Sequence, residues 1–350
     1  MRVWIDLSNS PHPLLFAPVA ARLAEAGAET AVTVRDHAQT AELARERWPE
    51  AEVIGGPSPA GRAAKSRALA DRALALARWA RAERPDVALS HNSYAQIVAA
   101  RIAGVSAVTA MDFEHQPANH VAFRLARRIL LPQALDPEAV ARQGARAAKV
   151  IRYPGLKEEL TLASFSPDPA VVKRLGIERG NGTVLVVART PPTGASYHRF
   201  ENPLFWESLR VLARQRRVRC VVLVRGPGEA ERIERMGLDN AIVPRGAIDS
   251  RSLLCEADLF VGAGGTMTRE AALLGLPTLS AFAGRRPAVD AWLARQGALK
   301  PLDSPAQVAD VRPRGAHSPD LGRLRAGARA IAEVFVGATV GLAGADRRGG

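Results

Sequence analysis

A glycine-rich segment between an apolar run and a helical stretch is the sharpest chemical signal in this sequence. Residues 261–270 read VGAGGTMTRE. Glycine lets the backbone approach a ligand closely, and the N–H groups that open a helix suit a diphosphate. We therefore expect Gly264, Gly265 and Thr266 to hold a diphosphate, with Thr266 as the N-cap. Glu270 follows one helical turn later on the same face, where its carboxylate can accept both hydroxyls of a ribose. The alternative is a tight strand-to-helix turn with a surface carboxylate.

The loop after the first apolar run carries a histidine between two prolines. Residues 9–12 are Asn9, Ser10, Pro11 and His12, and Pro13 follows. A histidine with a pKa near neutrality can remove a proton from an acceptor hydroxyl. The prolines fix the backbone and should exclude helix across the loop. We predict His12 as a catalytic base with Asn9 and Ser10 on the acceptor side. The alternative is a histidine at a helix entry with no chemical role.

A second polar cluster, DFEHQ at 112–116, follows another apolar run. Its position predicts the carboxyl edge of a parallel sheet, where ligands bind. We expect Glu114 and His115 to act on or orient the substrate, with Asp112 and His91 beside them on the acceptor side. Asp, Glu and His side chains together can also hold a metal ion, but we predict no metal here. A solvated polar loop is the plain alternative.

Two residues of the second half complete the candidate set. Arg189 ends an apolar run, and arginine suits phosphate through its bidentate fork. His198 opens the segment HRFEN at 198–202, which resembles the HRREN-type segment of the UDP-N-acetylglucosamine 2-epimerases. We predict both on the donor side, with a simple surface cation as the alternative for Arg189.

Composition limits the class of protein. The chain has 350 residues, enough for two domains, and the balance of 47% hydrophobic and 24% charged residues is that of an ordinary globular protein. Its formal charge of +13 comes from arginines spread along the chain rather than clustered, so we predict no nucleic-acid partner. Two cysteines, Cys220 and Cys255, exclude a disulfide scaffold and are expected to be buried thiols.

The N-terminus has no basic region followed by an apolar stretch, and apolar runs stop short of membrane-spanning length. We expect a cytoplasmic protein. A basic helical stretch at 62–84, with Arg67, Arg78 and Arg81 on one face, is expected to be a solvated surface. Peripheral contact at the inner face of the membrane stays open as the alternative.

Short β-branched runs alternate with Ala/Leu/Arg-rich helical stretches, which predicts βαβ units and parallel sheets. The pattern restarts in mid-chain and predicts two domains. The predicted boundaries are an N-terminal domain at 1–152, a hinge at 153–159, a C-terminal domain at 160–340 and a frayed tail at 341–350. The last helix can pack back on the first domain.

Several segments resemble known families. GAGGTMTREAALLGLPTLS at 262–280 resembles the diphosphate-sugar motif of GT-B glycosyltransferases such as the peptidoglycan N-acetylglucosaminyltransferase, and the GG-x-x-EE motif of the UDP-N-acetylglucosamine 2-epimerases. Arg269-Glu270 stands where the epimerases have two acidic residues, which favours a transferase. WIDLSNSPH, VRDHAQT, DFEHQ and YPGLKEE, together with this motif, resemble domain-of-unknown-function family 354 over nearly the full chain.

The resemblance implies an α/β fold of GT-B architecture, with two Rossmann-like domains whose parallel sheets face a central cleft. It implies a glycosyltransferase that moves a sugar from a nucleotide-diphosphate sugar, with UDP expected, to a glycan, a lipid-linked glycan or a small molecule. No cofactor is implied. The alternatives are a UDP-N-acetylhexosamine 2-epimerase-like enzyme, using Glu114 and His198 on the sugar, and a non-catalytic nucleotide-sugar-binding protein.

Overall fold

The computed structural model describes residues 1–59, 61–180, 182–191, 202–246, 248–315 and 317–349. They form two compact units. Unit 1 comprises Met1–Ser164 and Arg325–Gly350, and unit 2 comprises Phe165–Leu324. Each unit is a parallel sheet with helices, which confirms the predicted α/β class.

The sheet of unit 1 has seven parallel strands in the order β3-β2-β1-β4-β5-β6-β7. The chain runs outward from β1 in one direction and then returns to start β4 on its other side. Ligands of doubly wound sheets bind outside the carboxyl ends of the strands at such a reversal. The strands are β1 (Arg2–Leu7), β2 (Glu29–Val34), β3 (Glu52–Val53), β4 (Val87–His91), β5 (Ser106–Ala110), β6 (Arg128–Pro132) and β7 (Val150–Tyr153).

Helices cover both faces of this sheet because its strands are apolar on both sides. Trp4 of β1 packs toward Leu76 and Ala77, whereas Ile5 belongs to the cluster that contains Phe16. The helices are α1 (His12–Glu25), α2 (Thr40–Arg45), α3 (Arg62–Glu83), α4 (Tyr94–Ala103), α5 (Asn119–Leu125), α6 (Pro137–Arg142) and α7 (Glu158–Leu162), with a short 3-10 turn at Ala147–Lys149.

The sheet of unit 2 has six parallel strands in the order β10-β9-β8-β11-β12-β13, so its reversal lies between β8 and β11. Its strands are β8 (Val184–Arg189), β9 (Val218–Leu223), β10 (Ala241–Ile242), β11 (Leu259–Gly262), β12 (Thr278–Ser280) and β13 (Lys300–Pro301). Its helices are α8 (Ala170–Arg174), α9 (Pro203–Ala213), α10 (Pro227–Arg235), α11 (Ser250–Glu256), α12 (Thr266–Leu273) and α13 (Ala288–Arg295), with a 3-10 turn at Pro305–Val308.

The final helix, α14 (Leu321–Gly349), supplies apolar side chains to the core of unit 1. Phe335 is fully buried there, and its ring centroid lies 5.5 Å from that of Tyr153. The helix extends through the stretch for which fraying was expected, because Leu342 and Ala343 continue its buried face.

The segment Leu321–Ala345 is long and apolar enough to cross a membrane, with a mean hydropathy of 1.4, and 44% of its apolar window is buried inside the protein. The expectation that no stretch reaches membrane-spanning length is therefore wrong by length and composition. A core helix passes the same test, and Ile331 and Phe335 are core residues.

The chain passes from unit 1 to unit 2 between Ser164 and Phe165. The segment at 153–159, for which a hinge was expected, lies inside unit 1. Tyr153 ends a strand of that unit, and Glu158 begins α7 with both residues buried. Cys220 and Cys255 are buried free thiols, as predicted, and burial raises the pKa of Cys220 to about 12.

Candidate functional site

The glycine-rich turn of unit 2 connects β11 to α12 at the reversal of the sheet. Gly264 and Gly265 both have positive φ, 81° and 87°, where other residues are strained. A Cβ on Gly264 would also lie 2.9 Å from Cδ2 of Phe282, whereas a Cβ on Gly265 would meet open space. The turn therefore needs glycine at both positions, and the N–H groups that open α12 lie at the carboxyl end of β11.

The start of α12 differs by one residue from the sequence prediction. Gly265, not Thr266, is the N-cap, and no side chain caps this helix. The reason is the positive φ of Gly265, which turns the chain into the helix so that Thr266 already has helical backbone. The hydroxyl that bonds within the turn belongs to Thr268, which donates to the Gly264 carbonyl at 3.1 Å.

Glu270 lies one turn after Thr266 and is only 6% exposed. The alternative of a surface carboxylate is therefore wrong. Its neighbour Arg269 is also buried, with Nε 2.7 Å from Oδ1 of Asp290. This ion pair joins α12 to α13 and holds the helix that carries Glu270.

Arg189 ends β8, which is paired with β11, so it lies on the other side of the sheet reversal from the glycine turn. Its Nη1 donates to the carbonyl of Val224 at 2.9 Å. Burial lowers the pKa of Arg189 to about 10, with Arg225 lowering it further and Glu229 raising it. The guanidinium is thus charged at neutral pH. His198 lies outside the described residues.

Three residues that the sequence did not single out join the carboxyl ends of β8 and β9. Glu229, at the start of α10, is 8% exposed and accepts hydrogen bonds from the Thr190 hydroxyl and from the Arg225 N–H at 2.7 Å. Arg225 Nε donates to the Thr190 carbonyl at 3.1 Å. The sequence around Glu229, at a helix start, gives no signal that its carboxylate will contact Thr190, which follows β8.

In unit 1, His12 is the first residue of α1, and Pro13 lies in the first turn. The expectation that Pro11 and Pro13 keep helix out of this segment is therefore wrong for His12, because a helix start tolerates proline where the N–H has no partner. His12 is 4% exposed, and its Nδ1 accepts the Ser8 N–H at 3.1 Å. Burial, more than its neighbour His91, lowers the pKa of His12 well below 6.5.

The structure brings His12, His91 and Asp112 together. The two imidazoles lie edge to face with centroids 5.5 Å apart, and His91 Nε2 lies 3.3 Å from Asp112 Oδ1. Lys157, which the sequence prediction omitted, places Nζ 3.1 Å from Asp112 Oδ2 and 2.5 Å from Glu158 Oε1. All of these side chains are buried. Within the described ranges, no group of three or more His, Cys, Asp or Glu residues is arranged to hold a metal ion.

Glu114 and His115 pair with each other, with His115 Nε2 3.5 Å from Glu114 Oε1. Amide side chains hold their loop: Gln143 Nε2 donates to the Glu114 carbonyl at 2.5 Å, and Asn119 donates to Gln143 at 3.2 Å. This loop is thus ordered by its own hydrogen bonds and is not a freely solvated segment.

Asn9 and Ser10 precede α1. Asn9 is exposed and Ser10 is half-buried, and neither side chain hydrogen-bonds to the described residues. Asn9 instead supplies the carbonyl that accepts the His12 N–H at 2.9 Å.

A buried ion pair beside this group was also missed. Arg72 of α3 forms two bonds to the carboxylate of Asp6, at 3.0 and 2.8 Å. Thr33 donates to the same carboxylate at 2.6 Å, and Ser93 donates to its other oxygen. Asp6 is fully buried. Its place inside an apolar strand was a signal that could have indicated a paired charge.

Similar proteins were found by sequence and by structure. The family model described as protein of unknown function (DUF354) matches residues 1–304. The uncharacterized protein MJ0665 of Methanocaldococcus jannaschii is 31% identical over 302 residues, covering 83% of this chain and 84% of that protein.

Three solved structures show what the fold resembles. The UDP-N-acetylglucosamine 2-epimerase of Rickettsia bellii gives a TM-score of 0.71 at 12% identity, over 99% of this chain and 98% of that one. The Neisseria meningitidis UDP-GlcNAc 2-epimerase bound to UDP-GlcNAc gives a TM-score of 0.70 at 12% identity, over 96% of this chain and 100% of that one. The glycotransferase of kitacinnamycin gives a TM-score of 0.58 at 18% identity, over 96% of this chain and 97% of that one.

These similarities confirm the GT-B-like fold, and identities this low concern the fold alone. The family match covers most of the chain, and the M. jannaschii protein supports it independently. The chain belongs to the family of proteins of unknown function named DUF354.

Proposed function

We propose that this protein is a glycosyltransferase that moves a sugar from a UDP-linked donor to an acceptor. The observation that carries the proposal is the turn at Gly264 and Gly265, which lies at the sheet reversal of unit 2 and is followed one turn later by the buried Glu270. This is the position at which doubly wound sheets bind nucleotides.

On the donor side, the N–H groups that open α12 would hold the diphosphate with Gly264, Gly265 and Thr266. Glu270 would accept the ribose hydroxyls. Arg189 keeps its charge at neutral pH and would stabilise the departing diphosphate through N–H groups other than the one that donates to the Val224 carbonyl. His198 stays a proposed donor residue.

On the acceptor side, the hydrogen bond at His12 favours His91 rather than His12 as the base. A backbone N–H only donates, so Nδ1 of His12 is an acceptor and the neutral ring carries its proton on Nε2. His12 would therefore donate a hydrogen bond to an acceptor oxygen. His91, which faces the Asp112 carboxylate, would take the proton, with Asp112 orienting it. Glu114 and His115 would orient the sugar, and Asn9 and Ser10 would contact the acceptor.

Calorimetric titration with UDP and UDP-N-acetylglucosamine tests the donor site, with ADP and GDP as comparisons. Replacing Glu270 by Gln should weaken UDP binding about tenfold, since a buried charged hydrogen bond is worth about 1–3 kcal/mol. Glu207→Gln, an exposed carboxylate in the same unit, is the matched control and should bind as the parent does. The donor proposal fails if UDP does not bind, or if both variants bind it equally well.

A 2-epimerase-like activity is the second candidate, favoured by the Glu114–His115 pair in an ordered loop of unit 1. Such an enzyme needs no acceptor. Incubation with UDP-N-acetylglucosamine alone, followed by proton NMR of the sugar, distinguishes the two: a new epimer supports the epimerase and opposes the transferase. Tight UDP-sugar binding with no product from any acceptor would instead indicate a binding protein.

A further inference from the structure

Unit 1 contains a cavity of about 250 Å³ that the proposed donor site does not use. It lies outside the carboxyl ends of β1 and β4, at the reversal of this sheet. Residues that precede α1 and α4 line one side, and residues of α3 line the other. Its small volume suits one compact ligand.

The charges around the cavity have one sign. Arg35, Lys65 and Arg72 line it, and no lining residue is acidic. Asp6 compensates Arg72. Arg35 donates to the Gly56 carbonyl and to the Ser58 hydroxyl, both at 2.9 Å, but neither Arg35 nor Lys65 forms an ion pair with the part of the chain that the structure describes. Two cationic charges therefore remain uncompensated here.

A buried hydroxyl in the same wall lacks a partner. Ser8 is 7% exposed, and its Oγ forms no hydrogen bond with any described residue. Leaving a buried hydroxyl unsatisfied costs free energy. The Oγ of Ser8 is shielded from solvent, so a ligand oxygen can accept its proton once the side chain turns toward the cavity. The hydroxyl of Ser93, which also lines the cavity, is by contrast already bonded to Asp6.

We propose that this cavity binds the phosphoryl group of a small phosphorylated molecule. A phosphoryl group carries up to two negative charges and accepts hydrogen bonds in several directions, which matches the cations Arg35 and Lys65, neither in an ion pair with a described residue, and the unpartnered hydroxyl of Ser8. If the chain is the glycosyltransferase proposed above, this molecule is its acceptor; that step alone rests on the proposed function.

Titration of the full chain with inorganic phosphate and with glycerol 3-phosphate, at constant ionic strength, tests the proposal. Ser8→Ala and Lys65→Gln should each weaken binding about tenfold, the effect of losing one strong hydrogen bond to a charged group. Ser8→Ala removes a hydroxyl without a partner, so folding should be preserved. Arg67→Gln is the matched control: it removes a cation two residues further along α3, where the side chain is 87% exposed.

Each result has a defined meaning. Binding that both variants weaken and the control leaves unchanged supports the site. No binding, or binding that is equal in all variants, overturns it. Phosphate binding that only Glu270→Gln reduces assigns the anion to unit 2 and overturns the site while leaving the donor proposal intact. If UDP does not bind but phosphate binding behaves as expected, the phosphoryl site is supported. Only the identification of its ligand as the glycosyltransferase acceptor is then withdrawn.

Sedimentation with phosphatidylcholine vesicles, with and without phosphatidic acid, identifies the source of the phosphoryl group. Binding to the acidic vesicles that Lys65→Gln weakens and Arg67→Gln does not supports a lipid source at this site. Binding that both variants weaken equally indicates attraction to the surface of α3 and opposes use of the cavity. Glycerol 3-phosphate binding without vesicle binding supports a soluble ligand.

Discussion

His12 and His91 lie edge to face, 5.5 Å apart between ring centroids, and the Ser8 N–H holds the first of them in one tautomer. Two motifs separated by nearly eighty residues thus meet because β1 and β4 are neighbours in the sheet. One ring is set to donate a hydrogen bond, and the other faces a carboxylate. The pair can therefore divide between them the donor and acceptor roles that a proton transfer needs.

Burial of His12 makes the stability of the protein depend on pH. Its pKa in the folded state lies well below the ordinary 6.5. Below pH 6.5 the unfolded chain binds a proton that the folded chain does not, so the free energy of unfolding falls as the pH falls. Urea unfolding between pH 7.5 and 5.0 should show this loss, and His12→Gln should reduce the slope. His120→Gln, at an exposed position, should keep the pH slope of the parent protein. Equal slopes in both variants would contradict the assignment of this pH dependence to His12.

Breaking the Asp6–Arg72 pair should be strongly destabilising. Arg72→Met leaves a fully buried carboxylate without its cation, which costs about 3–5 kcal/mol of unfolding free energy. The exposed pair of Arg67 and Asp71, 3.9 Å apart on the same helix, is the comparison. Arg67→Ala should change stability by less than about 1 kcal/mol. Chemical denaturation measures both, and similar losses would mean that burial does not set the strength of the Asp6 pair.

The two glycines of the α12 turn should respond differently to alanine. Gly264→Ala adds a clash with Phe282 to the backbone strain, so it should lower stability more than Gly265→Ala, which costs about 1–3 kcal/mol from strain alone. Gly297 also has a positive φ, 71°, with open space around it, so Gly297→Ala is a control for a positive-φ substitution away from the site. Thermal unfolding combined with UDP titration should show weaker UDP binding for Gly264→Ala and Gly265→Ala, and unchanged UDP binding for Gly297→Ala. Equal UDP binding in Gly265→Ala and Gly297→Ala would oppose a phosphate role for this turn.

Most strands could be predicted because their β-branched runs are bounded by helical patterns. Residues 2–7 read RVWIDL, an apolar run that ends before the polar residues Ser8–Ser10, and β1 has the same bounds. The strand β13 was missed because it has only two residues, Lys300 and Pro301, which is too short for any periodicity. This strand is defined by its pairing with β12, in which Ser280 lies opposite Pro301.

The candidate site was predictable where a residue ends a strand. His91 and Asp112 follow neighbouring strands, and parallel strands bring their carboxyl ends to one edge. Lys157 and Arg72 could not be found this way, because each reaches its carboxylate from a segment distant in sequence. Only the folded chain shows that Asp112 and Asp6 carry these partners.

The last helix, α14, determines when the core of unit 1 can be completed during synthesis. Ile331 and Phe335 complete the core around β1 and β7, yet they follow every strand of both units along the chain. The contiguous strands of unit 2 are all synthesised before them. During translation, the first unit to emerge must therefore wait with part of its apolar core uncovered, so the N-terminal half is the segment most in need of a chaperone.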